Sequence, residues 1–159
     1  MATVNFRGES NVYKNAVLNC VEVLKKFPAQ SGREIRDYYT EDVLNPNPPC
    51  FTVLMMSSTD ERRSSQNLTQ IRYTINVGLE VWYYHADVTE ETKRNEITYV
   101  LWEINQLLKT NITLNGFCPK LGVEILGARY EPRRRGSRVL AGGALTLVAK
   151  ALYTSTITS

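Results

Sequence analysis

One histidine, His85, is all the imidazole in this 159-residue chain, and that scarcity removes much familiar chemistry at once. A Ser–His–Asp or Cys–His pairing would have to run through His85, and no G-x-S-x-G turn is present to supply a nucleophile. On a strand, His85 and Asp87 share a face. The simpler reading is a polar turn with Asp87 capping the helix that follows. A zinc site needs three or four ligands at characteristic spacing, which one histidine and three scattered cysteines do not offer. No G-x-x-x-x-G-K-[ST] or G-x-G-x-x-G stretch occurs, so no phosphate-cradling loop is expected. The expectation is a chain without catalytic, cofactor or metal site.

Long apolar runs are missing too. No stretch of about 18 apolar residues exists, so no membrane-spanning helix is expected. The chain opens at Met1 without a basic-then-apolar leader, and a secretory signal is not expected. The sequons Asn67-Leu68-Thr69 and Asn111-Ile112-Thr113 then read as chance matches. Cys20, Cys50 and Cys118 are odd in number, far apart and without a C-x-x-C pair, which makes them reduced and partly buried residues. The acidic pairs are unremarkable. Asp60-Glu61 is cancelled by Arg62-Arg63 beside it, and Glu90-Glu91 sits where a first helical turn favours negative charge.

What remains is an ordinary globular composition, 43% hydrophobic and 22% charged, at a length that fits one domain spanning 1–159. The spacing of Tyr13, Ala16, Val17, Cys20, Val21, Leu24 and Phe27 predicts a helix over 10–27, with Ser10 as N-cap and Pro28 ending it. Long loops are expected at about 28–49 and 59–70, with a short strand near 35–39 and an apolar strand over 51–56. Asn45-Pro46-Asn47-Pro48-Pro49 cannot join a ladder. Ile71, Tyr73, Ile75, Val77, Leu79, Val81 and Tyr83 alternate with polar residues and glycine, the signature of a long half-buried strand. A second helix is expected from Asp87, with Glu90 in a capping-box position and Ile97, Val100, Leu101, Ile104, Leu107 and Leu108 as its core stripe. Asn115-Gly116 marks a turn, and two strands follow over 123–130 and 139–156. In the last strand Gly142-Gly143 suggests a bulge or a close backbone approach. The expected fold is α+β, in the order α-β-β-α-β-β, with two helices on one face of an antiparallel-rich four-stranded sheet.

Charge is uneven. The chain carries +3 overall, yet Arg129, Arg133, Arg134, Arg135 and Arg138 face a single Glu131 in one short segment between strands. An exposed hairpin of guanidiniums can clamp carboxylates of a neighbouring subunit or bind phosphates, or it can simply keep sheet edges soluble. Subunit contact ranks first and nucleic-acid contact second, because no aromatic residues interleave the arginines of Arg133-Arg134-Arg135-Gly136-Ser137-Arg138 as a base-stacking platform requires. Trp82 and Tyr84, on the outer face of the long strand, are large aromatics of the kind interfaces favour. Arg62 and Arg63 join them as candidate contact residues.

The element order, with Leu101-Trp102-Glu103-Ile104-Asn105-Gln106-Leu107-Leu108 running into Ile112-Thr113-Leu114-Asn115-Gly116, resembles the tail terminator (tail completion, neck) proteins of long-tailed bacteriophages. In that family a long strand leads into a helix, a Leu-x-Gly turn follows and two strands close the sheet. Ala144-Leu145-Thr146-Leu147-Val148-Ala149 is similar to the closing strand. The resemblance implies a structural virion protein, not an enzyme, assembled in the host cytoplasm. It implies a ring of six copies that caps the tail tube and meets head-closure or connector proteins. Genomic DNA would pass through its channel with at most non-specific contact.

Overall fold

The computed structural model describes residues 11–67, 70–87 and 92–156. Helix α1 runs over Val12–Leu24 and buries Ala16, Val17, Cys20, Val21, Val23 and Leu24. Its N-cap is Asn11, whose side chain accepts the Lys14 N–H at 3.1 Å; Ser10, the expected cap, lies outside the described residues. The helix does not continue to Phe27. It stops at Leu24, and Phe27–Ser31 forms a short second helix, α2, with Pro28 in its first turn. Proline's missing N–H costs nothing there, so Pro28 opens a helix instead of closing one.

Six strands follow from the rest of the chain: β1 Asp37–Tyr39, β2 Cys50–Asn67, β3 Gln70–Asp87, β4 Val123–Tyr130, β5 Arg133–Arg135 and β6 Arg138–Thr156, with helix α3 at Thr92–Thr110 between β3 and β4. The sheet order is β1-β2-β3-β6-β4, and β5 pairs with β6. The fold is α+β, but among the described residues the sheet has six strands, not four, and is mixed: β1 lies parallel to β2, and the other pairings are antiparallel. The additions are two three-residue strands, β1 at the short strand expected near 35–39 and β5, too short to show periodicity. The four expected strands are the long ones.

Residues 59–67 are not loop. They continue β2, with Thr59 opposite Asn76, Asp60 opposite Ile75 and Arg63 opposite Arg72. Alternation reports a strand only when one face is buried. Here the ladder to β3 holds a segment that is polar throughout. Likewise β3 extends through Asp87, which pairs with Leu140, and α3 is described over Thr92–Thr110. The expected capping box falls between them, and Glu90 lies outside the described residues. The turn at Asn115-Gly116 forms as expected, with Leu114, Asn115 and Gly116 all at positive φ.

Both long helices lie on one face of the sheet. Val17, Cys20, Val21 and Leu24 of α1 and Ile97, Ile104 and Leu108 of α3 pack in one cluster with Phe51, Val53, Val77, Leu79, Val81, Tyr83, Leu145 and Leu147. A fully buried leucine or phenylalanine contributes about 1.5–3 kcal/mol, so this layer supplies most of the driving force. The opposite face is only partly wet. Cys50, Trp82, Tyr84, Leu140 and Ala144 form a second, smaller cluster there. Gly142-Gly143 is the close approach its sequence suggests. A Cβ on Gly143 would sit 2.6 Å from the Arg129 carbonyl oxygen and 2.7 Å from Leu101.

Single-residue bulges interrupt the ladders at Met56 on β2, His85 on β3 and Leu126 on β4, and the register of β2 shifts again between Arg63 and Asn67. Among the described residues no helix is long and apolar enough to cross a membrane.

Cys20, Cys50 and Cys118 are free and buried, and burial pushes their thiols up to about 12, 12 and 11 respectively. Thiolate is the reactive form. Iodoacetamide at pH 8 should therefore leave the native protein almost unlabelled. Denaturing without reductant should expose all three to alkylation, read as three added groups by intact mass. Two missing labels would reveal a disulfide.

Candidate functional site

Period two along β3 sends Glu80, Trp82 and Tyr84 to the face away from the helices. The Trp82 indole N–H donates to Glu80 at 2.6 Å, and the Trp82 and Tyr84 rings stack with centroids 6.1 Å apart. Two guanidiniums lie against the indole, Arg133 at 4.3 Å and Arg129 at 5.2 Å from the ring centre. Arg129 is itself held by Glu131 at 2.6 Å and Glu80 at 3.2 Å. The hydrogen bond that Arg129 donates to Glu131 raises the Arg129 pKa most, against a smaller opposing effect of burial.

The arginine segment is thus ordered structure, not a solvated loop. Gly136, at φ +62°, lets the chain reverse tightly between β5 and β6. Alternation along β5 then turns Arg133 and Arg135 inward and leaves Arg134 exposed. Arg135 grips Asp42 through two hydrogen bonds of 2.9 Å each. Arg133 reaches the same carboxylate and the Tyr84 hydroxyl, both at 3.5 Å. Arg138 donates to the Pro46 carbonyl at 3.2 Å. Burial raises the Tyr84 pKa, although Arg135 and Arg133 pull the other way.

This geometry corrects two expectations. Trp82 and Tyr84 are only 3% and 1% exposed, so neither can meet a partner directly. Arg129, Arg133, Arg135 and Arg138 are engaged within the chain, Arg129 while still exposed, and Arg134 faces outward. Arg62 and Arg63 are placed by backbone on β2, opposite Tyr73 and Arg72; their side chains lie outside the described residues. The group that sequence reasoning missed is Asp42. It lies more than ninety residues from its arginines, and no local pattern marks it.

His85 occupies the β3 bulge. Its Nδ1 lies 2.7 Å from the Tyr83 hydroxyl and its Nε2 3.3 Å from Glu96. In the neutral ring the Tyr83 O–H can donate to Nδ1 while Nε2–H faces the carboxylate. Arg33 extends the chain of contacts to Glu96 at 3.6 Å and Glu103 at 2.9 Å. The network ties β3 and α3 to Arg33, just past the Gly32 that caps α2. Asp87, two residues on from His85, has its side chain outside the described residues.

The sheet also ends in two open edges. Beyond Thr52, the outer side of β2 has no strand partner among the described residues, and neither has the outer side of β4. Met55 and Met56 are exposed along the first edge and Leu126 along the second.

Replacing Arg134 with Ala should change stability by less than about 0.5 kcal/mol. Arg135→Ala breaks the grip on Asp42 and should cost about 1 kcal/mol. Trp82→Ala should cost about 3–5 kcal/mol by emptying the back-face cluster. Urea midpoints compared across the three variants give the ranking; equal midpoints would return the segment to the role of a solvated turn. No family model matches the chain, and no curated protein matches it either.

Proposed function

We propose that this chain is a structural subunit of a closed ring at a bacteriophage neck, built by head-to-tail contact between opposite edges of its sheet. The supporting observation is the pair of unlike open edges on β2 and β4. Unpaired strand edges are templates for another chain. Because the two edges differ, repeated contact between them is heterologous, which closes into a ring when the rotation divides evenly and makes a filament otherwise.

The length of the strands supports the same reading. β2, β3 and β6 run for 18, 18 and 19 residues, against about 5–6 in a usual strand. Strands of this length give reach toward a neighbour or a tube.

The neck location, the number six, and the tail tube and head-closure proteins as partners rest on the resemblance to tail terminators. The role is assembly and not catalysis. A nucleic-acid-binding module is the weaker alternative, since most of the arginines it would use already hold Asp42, Glu80, Glu131 or the back-face aromatics.

Assembly of tails in the absence of the protein tests the reading. Tubes should overrun their normal length or fail to join heads, seen directly by electron microscopy. Tails of normal length that join heads would end it.

A further inference from the structure

The two open edges are not plain. Each carries one residue too many for its ladder: Met55 faces Leu79 and Ser57 faces Gly78, leaving Met56 extra, while Ile125 faces Leu147 and Gly127 faces Thr146, leaving Leu126 extra. Bulges at sheet edges break the run of hydrogen bonds that indiscriminate pairing needs. A simple extension of the sheet from copy to copy is therefore disfavoured, and a contact here must be set by side chains.

The side chains at the two edges are complementary in shape. Beside β2, the outer surface of α1 and the Met55 side chain enclose a groove of about 340 Å³ with Tyr13, Val17, Leu18 and Met55 as its apolar floor and Lys14 and Glu41 at its rim. On β4, Leu126 is 58% exposed. Next to it Gly127 has nothing within 4 Å of where a Cβ would stand, so another surface can approach the backbone closely.

Charge is complementary as well. Glu124 and Arg129 flank Leu126, one of each sign, and the groove rim also carries one of each. Glu124 is paired in the chain with Lys150 at 2.8 Å. An exposed pair of this kind is worth roughly 0–1 kcal/mol, so exchanging it for a partner across an interface costs little. Arg129 stays bound to Glu80 and Glu131 and against Trp82, with its 44% exposed side chain open to a further carboxylate.

We propose that Leu126 of one copy seats in the Tyr13–Val17–Leu18–Met55 groove of a second copy, with Lys14 facing Glu124 and Glu41 facing Arg129. This rests on the ring reading above and names the contact that would build it. Groove and knob are different surfaces, so each copy uses both and the chain of contacts can continue around a ring.

The test is a cysteine pair. Leu18→Cys and Leu126→Cys are placed in one chain, whose own cysteines are buried and shielded. Mild oxidation is carried out on concentrated protein and on completed tails. A disulfide-linked ladder of dimer, trimer and higher species on a non-reducing gel is expected, with at least tenfold less product from either single variant. Lys14→Glu should suppress the ladder about tenfold, and Glu124→Lys added to it should restore the product. If rings form but the double variant gives no ladder, this contact is wrong while the ring reading stands. If Leu126→Cys alone dimerises as readily as the pair, β4 edges meet each other and the proposal is overturned. The ring reading falls separately, if tails complete normally without the protein.

Discussion

Burial of β3 on both faces is the constraint on which the rest of the molecule depends. Its odd-numbered residues, Ile75 to Tyr83, face the helices, and Trp82 and Tyr84 face a second cluster behind the sheet. β2 on one side and β6 on the other pair with it over most of its length. A strand held this way cannot slip by one residue, because a slip would exchange the two faces and place Trp82 under the helices. The bulge at His85 then absorbs one residue near the end of the strand, beside the network that joins β3 to α3.

Covering the back face sets the job of the arginine segment. Trp82 and Tyr84 would be wet if the sheet stood alone. The chain between β1 and β2 supplies Asp42, and the β5–β6 hairpin supplies Arg133 and Arg135 to meet it. Arginine suits this position because its planar guanidinium can lie on an indole while its N–H groups still reach carboxylates. A concentration of positive charge that would suggest nucleic acid thus serves mainly to roof a small aromatic cluster. Arg134 keeps the exposure that the whole segment was expected to have, whereas Arg133, Arg135 and Arg138 are half-buried.

Legibility in the sequence followed burial. The stripes of α1 and α3 and the alternation of β3 are plain because one face of each is apolar and the other is not. The distal half of β2 was read as loop because Ser57 to Asn67 carries no apolar face to betray a strand. β1 and β5 are too short for any period. The open edges and their bulges could not be read at all, since Met56 and Leu126 become extra residues only through their partners' register. The same holds for Asp42, whose role appears only once the fold closes the distance to β5.

The central claim is that opposite edges of one sheet meet when copies assemble, and backbone amide hydrogen exchange measures it most directly. In the isolated chain the outward amides of β2 from about 53 to 61 and of β4 should exchange quickly, as unpaired edges do. In the assembled state both segments should become protected together, with α1 residues around Leu18 following them. Protection that rises elsewhere while both edges exchange as fast as before would contradict the account.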